Sequence, residues 1–269
     1  MKRSDICVTF DLWQTLIYDE SELDHIRMEM RCEGIRKVLS GLGIDLALND
    51  LLEAHEESAQ QFQAIWGRNE EISTIDQIRL IIQDASSDTF DLPLDSRASE
   101  MLQSAYTDPL FKYPPILNKG AIATLEGMRD RVPKIGLISN TGRSPGVALR
   151  RLLERLGILT FFDVTVFSDE VGCRKPDKRI FDLAVNGLGT EPSNTVHIGD
   201  NPEADVWGAK QAGMRAILFD FPVPEEFKRQ PGSLFALSRA DRRVPDSEIK
   251  PDARITSLKD ALGFVDSLA

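Results

Sequence analysis

The chain has 269 residues, of which 42% are hydrophobic and 28% are charged, a composition typical of a globular protein with a substantial core. Its formal net charge is −11, so we expect neither nucleic acid nor an anionic membrane as a partner, because both require a basic face. No apolar stretch approaches transmembrane length. The cysteines at positions 7, 32 and 173 form no CxxC pair, which favours a reducing compartment and predicts a cytoplasmic protein.

The first predicted element is a buried strand near the N-terminus. Residues 6–10 form an apolar run broken only by Thr9, and Asp11 follows directly. Open α/β sheets bind their ligands outside the carboxyl ends of the strands. The sequence therefore predicts that Asp11 lies at a ligand site.

Residues 18–108 show apolar residues at helical spacing and no strand-like alternation. A first helix is expected to begin at a cap on Ser21 and to end near Gly41 and Gly43. Further helical patterns lie at 51–66, 75–82 and 101–105. We interpret this segment as an all-helical insertion that is either a lid over an active site or a passive stabilising subdomain.

Four more short apolar runs predict buried parallel strands, at 135–138, 164–167, 195–198 and 216–219, and helical patterns alternate with them. This alternation favours an α/β fold with a doubly wound parallel sheet. The predicted core comprises residues 1–17 and 109–269. Residues 221–250 contain four prolines and are expected to be mainly loop, followed by a strand at 253–255 and a terminal helix at 258–268.

Polar side chains follow each predicted strand. Ser139 and Asn140 come after the second strand, Lys175 follows the third, and Asp200 ends the fourth, with Asp205 five residues later. The carboxyl ends of parallel strands meet at one edge of a sheet. We therefore expect these groups to converge with the first acid, as the set Asp11, Ser139, Lys175, Asp200 and Asp205.

Several carboxylates in one crevice repel each other unless a cation is present. Carboxylate, carbonyl and water oxygens suit Mg²⁺, which commonly bridges to a substrate phosphate. Lys175 and the Ser139 hydroxyl would bind the oxygens of the group being transferred. Asp11 would act as a carboxylate nucleophile on phosphorus, giving an aspartyl-phosphate.

This order of motifs resembles the haloacid dehalogenase superfamily, most of whose members are phosphatases. The segment from Asp11 to Thr15 matches its first motif, Ser139 its second, Lys175-Pro176 its third, and the segment from Gly199 to Asp205 its fourth. An all-helical insertion after the first motif is similar to the family's C1-type cap. The resemblance implies a Rossmann-like core with a helical cap.

The resemblance also implies roles for single residues. Asp11, Ser139 and Lys175 would be catalytic, and Thr15 and Asn140 would bind substrate. The implied Mg²⁺ ligands are Asp11, the backbone carbonyl of Trp13, Asp200, and Asp205 through water or in support of the other ligands. The implied substrate is a small phosphorylated compound.

Trp13 departs from the family pattern, because phosphatases of this type carry an aspartate there that serves as general acid and base. Losing such a group costs roughly 10²–10⁴-fold in rate. We expect either a preference for leaving groups that depart unprotonated, such as acyl or aryl phosphates, or the use of water or a residue of the cap as the acid.

Two alternatives to the Mg²⁺-dependent phosphatase stay open. One is a haloacid dehalogenase, since dehalogenases of this superfamily carry an aromatic residue two places after the nucleophile, where this chain has Trp13. However, they work without metal and lack the aspartate found here at position 200. The other alternative is a catalytically weak protein that binds a phosphate ligand. His197, inside the fourth strand, is expected to be structural.

Overall fold

A computed structural model describes residues 5–19, 23–86, 95–220 and 243–268. The predicted cap at Ser21 and most of the predicted loop at 221–250 lie outside these residues. Within them, a six-stranded parallel sheet forms the centre of the core. Its strands are β1 (Cys7–Phe10), β4 (Ile135–Ser139), β5 (Val164–Phe167), β6 (Thr195–Gly199), β7 (Arg215–Phe219) and β8 (Ala253–Ile255).

The predicted strands and the doubly wound parallel fold are confirmed. The spatial order is β5-β4-β1-β6-β7-β8, which becomes 3-2-1-4-5-6 when the six strands are numbered along the chain. This order has a reversal point between β1 and β6, where open α/β sheets bind ligands. Asp11 and Asp200 follow directly on these two strands.

Two further short strands, β2 (Ile17–Tyr18) and β3 (Ile116–Leu117), pair antiparallel beside the sheet. Between them lie α1 (Leu23–Gly41), α2 (Leu48–Trp66), α3 (Thr74–Ala85), α4 (Ser96–Thr107) and α5 (Pro109–Lys112). Helices α1 to α4 share a hydrophobic cluster of their own, which includes Cys32, Leu51, Ile81 and Leu102. The boundaries proposed for the insertion fall in β2 and at the end of α4.

Helices cover both faces of the sheet, because alternate strand residues point to opposite sides. On one face, Val8, Leu137 and Ile198 pack in a cluster with α6 (Ala121–Arg131), α7 (Gly146–Arg155) and α11 (Asp260–Asp266). On the other, Ile138 and Leu218 pack with α9 (Lys178–Leu188) and α10 (Gly208–Gln211). A short α8 (Ser168–Val171) follows β5.

In the part of the chain that the structure describes, no helix combines the length and the apolar character needed to cross a membrane. All three cysteines are buried and free. Residues 243–250 contain a single short 3₁₀ turn at Asp246–Glu248, which agrees with the loop predicted there.

Candidate active site

A tight turn after β1 holds Asp11 at the edge of the sheet. Its backbone N–H donates to Ile198 O on β6 at 2.9 Å. The turn closes through bonds from the N–H groups of Leu16 and Ile17 to Leu12 O, at 2.8 and 3.0 Å. Gln14 takes a left-handed backbone conformation with φ of 58°, which is uncommon for a non-glycine residue and typical of functional turns. As a result Asp11 is 6% exposed and faces the crevice.

Lys175 bridges two carboxylates. Its Nζ donates to Asp11 Oδ1 and to Asp205 Oδ1, both at 2.6 Å, and to Ile138 O at 2.9 Å. All three protons of the ammonium therefore have acceptors. With Asp200, whose carboxylate lies within 4.8 Å of those of Asp11 and Asp205, the structure thus brings together four of the five residues expected to converge.

Asn140 fixes the backbone that carries Lys175. Its Oδ1 accepts from the Lys175 N–H at 2.7 Å, and its Nδ2 donates to Lys175 O at 2.9 Å. This side-chain amide therefore satisfies both backbone groups of one residue on the neighbouring loop. The sequence predicted substrate binding for Asn140; the geometry adds a positioning role.

Asp205 is held from three sides. Its Oδ1 also contacts His197 Nε2 at 3.1 Å, and its Oδ2 accepts the Asn201 N–H at 2.8 Å. Asn201 caps the π-helical segment Pro202–Trp207 that carries Asp205. A Cβ on Gly199 would lie 2.3 Å from Asp205 Cγ, so this close approach requires glycine.

Burial and the shared lysine separate the pKa values of the two acids. Burial raises the pKa of Asp11 to about 6, against the lowering effect of Lys175. Burial also acts to raise the pKa of Asp205, but Lys175 and the hydrogen bond from His197 outweigh it, so this pKa lies well below its usual value. Asp205 is therefore a fixed anion, while Asp11 becomes a carboxylate only as the pH rises above about 6.

His197 is completely buried, and burial lowers its pKa despite the opposing charge of Asp205. The ring is therefore neutral at pH 7. Since ionised Asp205 can only accept, Nε2 carries the proton, and Nδ1 accepts from the Thr9 hydroxyl at 2.9 Å. This geometry fits the predicted structural role of His197.

The carboxylates of Asp11, Asp200 and Asp205 offer ligand atoms within 4.8 Å of one another, and all three side chains are buried. A set of hard oxygen donors fits Mg²⁺. Both oxygens of Asp205 are already engaged by protein donors, whereas Asp11 accepts from Lys175 through Oδ1. The donor set is therefore compatible with direct ligation by Asp11 and Asp200, supported by Asp205.

A cavity of about 210 Å³ opens above these groups. It lies below the ~300–1,000 Å³ of pockets for drug-sized ligands, so it suits a small molecule. The core contributes Asp11, Trp13, Asn140 and Lys175 to its wall. The insertion contributes Arg27, Arg31 and Trp66.

Two of the predicted site residues are buried beside the cavity. Thr15 and Ser139 are both completely buried and are not among the described residues of its wall. The Ser139 hydroxyl donates to Asn140 O at a long 3.4 Å, and the Thr15 hydroxyl has no hydrogen-bond partner in the described chain. Their roles toward substrate stay predictions.

Four arginines of the site were not predicted from the sequence. Arg27, Arg31, Arg143 and Arg174 line the cavity and are all less than 9% exposed. Arg174 pairs with Glu71 of the insertion at 2.6 Å and packs over the Trp66 ring at 4.5 Å. The sequence of α1 does indicate that Arg27 and Arg31 are buried, because they continue the spacing of four set by the buried Ile35 and Leu39.

The chain matches the model of the haloacid dehalogenase-like hydrolases over residues 7–213. It is 29% identical to the glyceraldehyde 3-phosphate phosphatase of Methanopyrus kandleri over 249 residues, covering 90% of this chain and 91% of that protein. The enzyme of the same name from Methanothermobacter thermautotrophicus is 39% identical over 105 residues, and here the match covers 38% of this chain and 44% of that protein. The chain thus spans less than half the length of the first curated relatives it matches.

Among solved structures, the 2-haloacid dehalogenase of Pseudomonas syringae superposes with a TM-score of 0.62 at 21% identity, covering 100% of both chains. At this identity the likeness concerns the fold alone. It extends over the helical insertion as well as the sheet.

Proposed function

The chain belongs to the haloacid dehalogenase-like hydrolases, and from that premise we propose that it is a Mg²⁺-dependent phosphatase of a small phosphorylated compound. The contact of Lys175 with both Asp11 and Asp205 carries the proposal, since it places a cation between a candidate nucleophile and a fixed anion. The near full-length similarity to a protein named glyceraldehyde 3-phosphate phosphatase supports a small phosphorylated substrate.

In the proposed reaction, a carboxylate oxygen of Asp11 attacks phosphorus. The new bond from Asp11 to phosphorus forms as the bond from phosphorus to the leaving oxygen breaks, and the leaving group departs with the electron pair. Water then attacks the aspartyl-phosphate, which releases phosphate and restores the Asp11 carboxylate. Although the pKa of Asp11 is raised, it reaches only about 6, so the nucleophile is mostly ionised at neutral pH.

Lys175 keeps Asp11 oriented during both steps and offsets the negative charge of the phosphoryl group. Asp205 holds the Lys175 ammonium in place, and His197 and Asn201 in turn hold Asp205. Asp11 and Asp200 would hold Mg²⁺, with a backbone carbonyl at Trp13 as a further proposed ligand, and the ion would supply charge stabilisation to the transferring phosphoryl group.

The leaving group receives no proton from position 13. Trp13 lines the cavity and packs partly against the core cluster, and an indole has no acidic proton to give at neutral pH. We therefore propose that the enzyme favours acyl phosphates, whose carboxylate leaving group is stable unprotonated.

The test is a comparison of acetyl phosphate, glycerol phosphate and 2-chloropropionate, each with and without Mg²⁺. We expect phosphate release that needs Mg²⁺, is fastest with the acyl phosphate, and disappears in Asp11→Asn. The matched control is Asp50→Asn, which makes the same change on the exposed first turn of α2 and should leave turnover intact.

The aromatic residue at position 13 is the one observation that favours a dehalogenase. Chloride release without Mg²⁺ in the same assay would establish that alternative and reject the phosphatase. Absence of turnover with all three compounds, together with thermal stabilisation by phosphate, would establish the binding protein instead.

A further inference from the structure

Three buried arginines gather on one side of the cavity. Arg27 and Arg31 lie one turn apart on α1, so their side chains share a helix face. Arg143 comes from the loop after β4. All three line the same cavity as Asp11 and are at most 7% exposed.

Arg31 has no anionic hydrogen-bond partner among the described residues. Its Nε donates to Tyr106 O at 3.1 Å, and this is the one hydrogen bond that its guanidinium makes within the described chain. The guanidinium lies 5.3 Å from the centre of the Tyr106 ring. Asp24 is an acidic neighbour that favours its charged form, but the two form no salt bridge in the described structure.

The described partners of the two neighbouring arginines leave no negative charge over for Arg31. Arg27 forms a salt bridge with Asp19, which neutralises that pair, and its Nε has no partner among the described residues. Within the part of the chain that the structure describes, Arg143 donates to neutral oxygens, those of Ser58, Tyr106 and His55. Arg31 and Arg143 thus carry buried positive charge that no described acidic side chain pairs with, in a chain whose net charge is −11.

This charge is not removed by deprotonation. Burial lowers the pKa of Arg31 to about 10, and Arg27 and Arg143 act in the same direction. The group is therefore cationic at neutral pH. A buried charge without a partner costs several kcal/mol, and an anion bound there would offset that cost.

We propose that Arg31, flanked by Arg27 and Arg143, binds a second anionic group of the substrate whose phosphoryl group reacts at Asp11. The assignment rests on the function proposed above, and it narrows the substrate to small compounds with an anionic group at each end. A carboxylate and a second phosphate share the required chemistry, which is a set of anionic oxygens that accept from guanidinium groups.

Binding of non-reactive analogues tests this proposal without turnover. Methylphosphonate carries one anionic end, 3-phosphonopropionate adds a carboxylate, and propane-1,3-bisphosphonate adds a second phosphonate. By calorimetry at fixed Mg²⁺, we expect at least one two-ended compound to bind the wild-type protein about 10- to 100-fold more tightly than methylphosphonate. The better of the two identifies the second group.

Arg31→Met should bring this preference close to 1. Arg36→Met is the matched control and should retain the wild-type preference. Arg36 lies on the same helix, but its side chain is 41% exposed and paired with Glu33. Arg31→Lys serves if the methionine variant does not fold, because it keeps the charge while losing the forked geometry; it should retain only part of the preference.

Equal affinity of the wild-type protein for one-ended and two-ended compounds would overturn the proposal. So would an equal loss of affinity for all compounds in Arg31→Met, because a purely structural role predicts that result. If the preference is present and depends on Arg31 but no phosphorylated compound is turned over, the second anion site stands and the phosphatase is rejected.

Discussion

At the scale of single residues, the proposed function makes Trp13 the residue that limits which leaving groups can depart. We expect Trp13→Asp to raise turnover of glycerol phosphate by roughly 10²-fold or more, because the carboxylic acid can protonate the leaving alcohol. Turnover of acetyl phosphate should change far less. Steady-state kinetics of both substrates with Mg²⁺ measures the difference.

Trp13→Asn is the control for this change, since it loses the same packing against the core and gains no acid. An equal rise in both variants would mean that the indole blocks the cavity rather than replaces a proton donor.

Lys175 is the second residue for which we predict the effect of a substitution, here on the free energy of unfolding. Lys175→Met would leave Asp11 and Asp205 buried beside each other without their shared cation. We expect the free energy of unfolding to fall by about 3–5 kcal/mol in urea titrations without Mg²⁺. Lys178→Met, which breaks an exposed pair with Asp182, should cost no more than about 1 kcal/mol.

The sequence located the acids and the lysine because each follows a buried strand. It did not locate the arginines of the insertion, because an arginine on a helix is usually solvated and its burial depends on which surface the helix meets. Arg143 contacts His55 O, 88 positions away in the chain. Local patterns carry no information about such a contact.

At the scale of elements, the turn after β6 depends on a close approach of backbone and side chain. Gly199→Ala would place a Cβ within 2.3 Å of Asp205 Cγ, so Asp205 must shift away from Lys175. We expect a loss of about 1–3 kcal/mol in stability together with a loss of phosphatase activity.

Gly263→Ala is the matched control. Gly263 lies inside α11 and a Cβ there would meet no atom within 4 Å. This change should raise stability by up to ~1 kcal/mol, because alanine favours the helix. Thermal unfolding of both variants measures the change in stability, and an activity assay measures turnover. A stable, active Gly199→Ala protein would show that the close contact is not required.

The strands of the sheet were predicted to within about a residue at each end, because fully buried parallel strands are continuous apolar runs. β2 and β3 were missed, since two residues each carry no periodic pattern. The helices of the insertion were expected, although α2 begins at Leu48 and α4 at Ser96, ahead of the predicted starts at 51 and 101. The π-helical segment at Asp205 has no sequence signature of its own.

At the scale of the whole molecule, His55 links stability to pH. Burial, together with the nearby charges of Arg143 and Arg31, lowers its pKa well below 6.5. Below pH 6.5 the unfolded chain takes up a proton that the folded protein does not bind. The contribution of His55 to the free energy of unfolding is therefore fully present above this pH. It decreases as the pH falls, by up to about 1.4 kcal/mol per pH unit.

His55→Gln should remove that part of the pH dependence. Urea titrations at pH 7 and pH 5.5 test this. The difference in the free energy of unfolding between the two pH values should be smaller in the variant than in the wild-type protein. The control is His25→Gln, since His25 is exposed on α1, and it should keep the wild-type difference. An unchanged difference in His55→Gln would assign the acid sensitivity to other groups.

The central position of β1 has a consequence for the order of events during synthesis. Its register pairs Cys7 with Thr195 and Val8 with Ile135, so β1 is synthesised before both of the strands with which it pairs. Thr195 lies 188 positions after Cys7, and at typical translation rates a segment of this length takes roughly 10–40 s to make. During that delay, α1 to α4 can pack on their own hydrophobic cluster, while the apolar segment that carries Asp11 needs protection from aggregation.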